Sequence, residues 1–139
     1  MNLIARLFPN APSLQRRLAA DGLLLLEERL RGSVVYRNYK APGRRDLLTR
    51  RGARLAVGVT RKGLLIDGSL GTFIDTLWTD PRVAAARVSA NDDTLLVTYD
   101  ASTFHDDRTG RIEIRAHTTK AQQFADLITE HQTANHEPT

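Results

Sequence analysis

The chain has 139 residues, of which 41% are hydrophobic, and this is enough apolar sequence to build the core of one domain. It contains no cysteine, which excludes disulfides and thiolate metal sites. The net charge of +4 conceals an asymmetry: residues 1–62 hold 14 basic and 4 acidic side chains (+10), whereas residues 63–139 hold 6 and 12 (−6). Such a split is typical of a surface for phosphate or anionic lipid, but it also arises where the two halves pair within the fold.

The sequence pattern predicts that residues 1–22 form an N-terminal helical extension. Helical spacing covers residues 3–20 and is interrupted at residues 9–12, where two prolines stand. The first piece carries an apolar stripe, formed by Leu3, Ile4, Leu7 and Phe8. This stripe packs on the rest of the chain, docks a second protomer in a homodimer, or lies in a membrane interface, and packing within the chain is the default.

The same region argues against export and membrane insertion. Arg6 and Pro9 interrupt the apolar run, and no small-residue cleavage site follows, so the segment does not read as a signal peptide. The longest unbroken apolar run, Leu23–Leu26, is far shorter than a membrane span. The sequence therefore predicts a soluble, cytoplasmic protein that can lie peripherally on a membrane.

Residues 23–131 predict a mainly β domain. Either two strands or one long bent strand covers residues 23–39, because Ser33–Tyr39 is rich in β-branched and aromatic residues, with a bulge or turn at Arg31-Gly32. A turn at Pro42-Gly43 opens a loop that continues to Gly52. Five or six further strands follow from alternation and turn residues: 54–60, 64–67, 72–78, a weaker one at 83–89, 94–99 and 111–117.

A C-terminal amphipathic helix is predicted for residues 120–130. Thr118 or Thr119 caps it, and Phe124, Leu127 and Ile128 form one apolar stripe. The polar residues 132–139 are predicted to be a flexible tail. The fold class is therefore mainly β (α+β): an antiparallel barrel or orthogonal two-sheet sandwich of about seven strands, closed by a helix.

This order of elements resembles the pleckstrin-homology-like (PH-like) fold, including its bacterial and GRAM-like versions. The resemblance lies in the hairpin Leu55–Ile66, with its hydrophobic–Thr–Arg–x–x–Leu pattern, and in the last strand that feeds directly into the 120–130 helix. It implies two sheets that form a barrel whose open end is plugged by the helix. It also implies a binding module for phosphoinositides, peptides or protein partners rather than an enzyme.

A basic cluster is the first candidate site. Its members are Lys40, Arg44, Arg45, Arg50, Arg51, Arg54, Arg61 and Lys62. If residues 40–54 form a loop and residues 61–62 a nearby hairpin tip, these cations converge on one rim. Arginine suits phosphate oxygens, so anionic lipid headgroups are the expected ligand. The alternative is a solvated loop that the acidic second half neutralises.

Nucleic acid is a further candidate ligand of the same cluster, and it ranks below lipid or protein. Tyr36 and Tyr39 are expected to point to opposite faces of an unbroken strand, and no nucleic-acid-binding motif is present.

Catalysis and metal binding have weak support. His105-Asp106-Asp107 resembles a metal or acid–base group, but the run that follows it is typical of a hairpin turn. No nucleophile elbow, P-loop or dinucleotide fingerprint is present, and no cofactor is expected. The single tryptophan, Trp78, is expected in the core.

The sequence thus favours a non-enzymatic recruitment module. Its expected partner is a protein or an anionic membrane surface. The alternative is a small β-barrel that holds an apolar ligand in its interior.

Overall fold

The computed structural model describes residues 11–136, which form a single antiparallel sheet with one helix before the first strand and one after the last. In chain order the elements are α1 (Ala11–Ala20), β1 (Leu23–Ala41), β2 (Arg44–Thr60), β3 (Gly63–Gly68), β4 (Gly71–Leu77), β5 (Arg87–Asn91), β6 (Thr94–Asp100), β7 (Thr109–His117) and α2 (Ala121–His136). Two short 3₁₀ helices, Pro81–Ala85 and Ala101–Thr103, connect strands. The prediction of a mainly β, antiparallel fold with about seven strands and a C-terminal helix is confirmed.

The seven strands are ordered β4-β3-β2-β1-β7-β6-β5, so the first strand lies at the centre of the sheet. β1 is one bent strand of 19 residues, as one of the two sequence interpretations had it. The predicted bulge or turn at Arg31-Gly32 is wrong, however. Arg31 and Gly32 pair regularly with β2, and the register shifts between Glu27 and Leu30, where Arg29 adopts a left-handed conformation (φ 58°).

The predicted loop through Asp46 to Gly52 is wrong, because these residues belong to β2. Only Pro42 and Gly43 form the turn, and Gly43 has a positive φ of 74° that favours glycine. From this turn the register runs without a shift as far as Leu30 opposite Leu55. The polar composition of the segment suggested a loop, but a hairpin strand that is largely exposed tolerates charged residues well.

The predicted strand 83–89 is also largely wrong. The segment starts as the 3₁₀ helix Pro81–Ala85 and becomes strand β5 only at Arg87. The Asp80 side chain accepts a hydrogen bond from the backbone N–H of Arg82, which caps this short helix. Pro81 fits the first helical position, and the alanines that follow have little preference for a strand.

The sheet is strongly curved. β4 and β6 are five strand steps apart in the sheet order, which is roughly 24 Å in a flat sheet. Yet the Tyr99 hydroxyl of β6 donates to the Phe73 carbonyl of β4 over 3.4 Å. The concave face therefore encloses one core, to which all seven strands contribute, with Leu55, Ile66, Leu95 and Ile114 at most 1% exposed. Trp78 is in this core, as predicted, and its indole N–H donates to the Thr60 carbonyl over 2.8 Å.

Helix α2 covers part of this core. Phe124 and Ile128 are fully buried and Leu127 is partly buried, so the predicted apolar stripe faces inward. Thr118 lies in the turn that precedes the helix, where its hydroxyl accepts from the backbone N–H of Lys120 and donates to Glu27 of β1. The helix extends to His136 rather than ending near residue 130.

At the other end of the chain, α1 packs Leu18 (5% exposed) against β2 beside Gly58. The helix is the second of the two predicted pieces, and its first turn contains Pro12, where a missing N–H costs nothing. The predicted stripe of Leu3, Ile4, Leu7 and Phe8 lies outside the described residues. Within residues 11–136, no helix is long and apolar enough to cross a membrane.

Candidate functional site

The eight cations of the predicted cluster are spread along the β1–β2 hairpin. Lys40, Arg44 and Arg45 lie at the turn, and Arg50, Arg51 and Arg54 lie farther along β2. The remaining two, Arg61 and Lys62, follow the opposite end of β2. A 17-residue strand spans roughly 50 Å when straight. The structure therefore brings together the three residues at the turn and separates Arg61 and Lys62 from them.

Most of these cations have no ion pair with the described residues. Arg44 pairs with Asp46 (2.6 Å between Nε and Oδ2), and Lys62 lies 4.0 Å from Asp21. The other six have no carboxylate within ion-pairing distance in residues 11–136: Lys40, Arg45, Arg50, Arg51, Arg54 and Arg61. Their charge is therefore available to a ligand.

The two oppositely charged halves of the chain pair with each other very little. Of the seven ion pairs between described residues, one alone joins the basic half to the acidic half: Arg37 with Glu113. The sequence left open whether the acidic half neutralises the basic cluster. Direct ion pairing does not do so in the described part of the chain, so the asymmetry persists at the surface.

Arg44 is held in place by three groups. Its guanidinium carbon lies 4.5 Å from the centre of the Tyr36 ring and 5.0 Å from that of Tyr39, while its Nε donates to Asp46. The two rings are 4.9 Å apart, so the expectation that they point to opposite faces is wrong, because Asn38 between them adopts a left-handed conformation (φ 50°). Burial alone would lower the pKa of Arg44, but the hydrogen bond to Asp46 and the charge of that carboxylate outweigh burial and raise it. Burial raises the pKa of Tyr36, and Arg44 partly offsets this. Arg44 therefore has a fixed position, as a specific anion contact requires.

A cleft of about 440 Å³ opens beside Arg44, between the hairpin turn, the β3–β4 turn and the loop before β7. Its walls include Tyr39, Thr72 and Phe73, and Arg108 contributes a second guanidinium. The Nε of Arg108 lies 3.3 Å from an oxygen of Asp107, so both arginines of the cleft already have a carboxylate nearby. The cleft can admit an anion, but its net charge depends on the cations around it.

Two leucines are exposed next to the hairpin turn. Leu47 is 73% exposed and Leu48 is 63% exposed, and both lie between Arg45 and Arg50 on β2. Apolar side chains of this size that remain in water within a cationic segment are a feature of surfaces that contact membranes or proteins. The sequence interpretation missed them because it placed both leucines in a polar loop. We call Lys40, Arg45, Leu47 and Leu48 the hairpin end.

The convex face of the sheet carries a set of cations that joins two members of the predicted cluster, Arg50 and Arg54, to four arginines that the sequence interpretation did not include. Cross-strand partners share a face, and on the face opposite the core Arg31 pairs with Arg54, Ser33 with Arg115, Val35 with both Arg50 and Glu113, and Arg37 with Arg111. We call these six arginines the arginine face: Arg31, Arg37, Arg50, Arg54, Arg111 and Arg115. The alternation in Arg111-Ile-Glu-Ile-Arg115 predicts that Arg111 and Arg115 lie on the same face of β7. Their proximity to the arginines of the hairpin depends on the pairing of β7 with β1.

Glu113 lies within the arginine face. Its side chain is 11% exposed and is approached by three guanidiniums, from Arg37 at 2.7 Å, Arg111 at 3.6 Å and Arg115 at 4.0 Å. One carboxylate among three arginines leaves an excess of positive charge. The carboxylate holds the guanidiniums in place without neutralising them.

The loop with His105, Asp106 and Asp107 forms a turn, as the favoured interpretation predicted. Burial lowers the pKa of His105, and the nearby Arg108 adds to this. Residues 11–136 contain no group of three or more His, Cys, Asp or Glu side chains arranged to hold a metal ion.

Comparison with known proteins adds no identification. No protein-family profile matches the sequence, and no curated protein shows significant similarity to it. The geometry of the hairpin and the sheet is therefore the evidence on which a function can be proposed.

Proposed function

We propose that this protein is a non-enzymatic, PH-like module that binds anionic membrane surfaces through its β1–β2 hairpin. The observation that carries the proposal is the hairpin end, where two exposed leucines lie among cations without ion pairs. Leucines give affinity by entering the boundary between headgroups and acyl chains, and cations give affinity for phosphate. An anionic bilayer satisfies both at once.

Seven antiparallel strands followed by a helix that covers the core support the PH-like proposal, whose architecture is two sheets that form a barrel with the last helix at one open end. The cleft near Arg44 is lined by both Arg44 and Arg108, so a headgroup phosphate that entered it could contact either guanidinium. In this proposal the arginine face attracts the protein to the surface and the hairpin end contacts it. Charge in the arginine face acts over about 8 Å at physiological salt, so it orients the approach without direct contact.

The interior-ligand alternative has less support. Leu55, Val57 and Ile66 fill the concave face of β2 and β3 and are at most 1% exposed. Side chains that are packed in this way leave the surface as the better place for a ligand.

Co-sedimentation with vesicles tests the proposal. We expect binding to vesicles of phosphatidylcholine with phosphatidylglycerol and little binding to phosphatidylcholine alone. At about 1 kcal/mol per cation near the surface, the double variant Lys40→Ala/Arg45→Ala should bind roughly 30-fold more weakly at low salt. The double variant Arg16→Ala/Arg17→Ala is the matched control, because it removes the same charge from the exposed side of α1.

The leucines are tested separately. Replacing Leu47 and Leu48 by serine keeps every charge but removes the groups that would enter the bilayer, so binding should weaken even where electrostatic attraction is intact. Equal binding to neutral and acidic vesicles would contradict the proposal, as would equal losses in the hairpin-end variant and the α1 control.

A further inference from the structure

Part of strand β2 has an unpaired edge. β1 pairs with one side of β2 along its whole length, but β3 pairs with the other side only from Leu55 to Val59. No strand in residues 11–136 pairs with that side of residues 48–53. We call residues 48–53 the free edge.

The direction of the backbone groups at the free edge follows from its neighbour. The carbonyl of Arg54 accepts from the backbone N–H of Ser69 over 3.0 Å, so the backbone groups of Arg54 point away from β1. Backbone direction alternates along an antiparallel strand, and the β1–β2 register has no shift here. Gly52, Arg50 and Leu48 therefore point their N–H and C=O groups outward, where no described strand accepts them.

The charge at this edge selects its partner. Residues 47–60 contain Arg50, Arg51 and Arg54 and no acidic residue. A second copy of the chain fits poorly, because antiparallel pairing centred on this edge places Arg50 opposite Arg50 or Arg51 opposite Arg51, and like charges directly opposite each other destabilise a sheet. An acidic segment places carboxylates opposite the same arginines.

We propose that the free edge binds an extended acidic peptide segment of a protein partner, which adds as a further strand beside β2. Main-chain hydrogen bonds to Leu48, Arg50 and Gly52 give affinity, and the arginines select carboxylate-bearing sequences. This interaction is separate from membrane binding, since it requires the backbone of the edge rather than the leucine side chains.

Gly52 allows a test that changes no charge. Its N–H points outward, it is exposed, and an added Cβ would meet nothing within 4 Å. Gly52→Pro removes the outward donor while the pairing with β1 is kept, since proline is tolerated where the N–H of an edge strand faces solvent. Gly52→Ala is the matched control, because it adds a Cβ and keeps the N–H.

The probe is a fluorescein-labelled peptide of alternating Glu and Val, measured by fluorescence polarisation. We expect it to bind the unmodified protein and Gly52→Ala alike, and Gly52→Pro about fivefold more weakly or worse. A version of this peptide in which alternate backbone nitrogens are methylated should bind the unmodified protein about tenfold more weakly. This measurement uses the unmodified protein alone, so it does not depend on whether Gly52→Pro folds. A control peptide of alternating Lys and Val, which carries the opposite charge, should not bind the protein.

Three results would overturn the proposal: no binding of the Glu–Val peptide, equal affinity of Gly52→Pro and Gly52→Ala, or equal affinity of the methylated and unmethylated peptides. Binding to acidic vesicles should be the same for Gly52→Pro and Gly52→Ala. Failure of peptide binding can therefore be distinguished from failure of the membrane proposal.

Discussion

Replacing Glu113 by glutamine should change stability and anion binding in opposite directions. The carboxylate is 11% exposed and accepts a 2.7 Å hydrogen bond from Arg37, with Arg111 and Arg115 farther away. A hydrogen bond to a charged group contributes roughly 1.5–3 kcal/mol, and the exposure of the arginines reduces this to about 1–2 kcal/mol. For a domain of this size we expect the melting temperature to fall by about 3–6 °C.

The same substitution leaves the arginine face with one more net positive charge. A charge near an anionic surface contributes on the order of 1 kcal/mol, so binding of Glu113→Gln to acidic vesicles should strengthen by about two- to fivefold. Glu130→Gln is the control, since it makes the same charge change on an exposed side chain of α2. Thermal denaturation and co-sedimentation measure the two effects. An unchanged melting temperature would show that Glu113 does not stabilise the arginine face, and weaker vesicle binding by a folded Glu113→Gln protein would show that this face does not attract the membrane.

Two further predictions concern the fold. Gly32→Ala should unfold the protein or lower its melting temperature severely, because the added Cβ would lie 2.2 Å from the Arg115 carbonyl oxygen at the centre of the sheet. A near-normal melting temperature would show that the β1–β7 pairing is wrong. Burial lowers the pKa of His105 below that of the unfolded chain, so this group contributes stability above about pH 6.5 that is lost as the pH falls through that value toward the lower folded pKa. The melting temperature of His105→Gln should therefore fall less between pH 7 and pH 5 than that of the unmodified protein. An equal fall in both proteins would exclude this contribution.

Local sequence signals predicted the elements that follow simple periodicity. The alternation in residues 111–117 and the apolar stripe of the last helix each correspond to buried positions in the structure, because side-chain period and burial are directly linked. The errors arose where composition and tertiary context disagree. Residues 46–52 look like a loop by their charges, yet pairing with β1 holds them in a strand.

The candidate site was less accessible to sequence reasoning than the fold. Its cations could be identified by type, but their grouping depends on the hairpin. The turn at Pro42-Gly43 brings Lys40 opposite Arg45, while the length of β2 separates both from Lys62. The contribution of Arg111 to the same charged face depends on β7 pairing with β1, a contact between residues far apart in the chain.

Entry of the hairpin end into an anionic bilayer can be measured with a single fluorescent label, because the chain contains no cysteine. Leu48→Cys can be labelled at one position with an environment-sensitive fluorophore, and Gln123→Cys provides a matched label on the exposed side of α2. Phosphatidylglycerol-containing vesicles should shift the emission of the label at residue 48 to shorter wavelength and leave the label at residue 123 unchanged. Unchanged emission at residue 48, or an equal shift at both positions, would show that the hairpin end does not enter the bilayer.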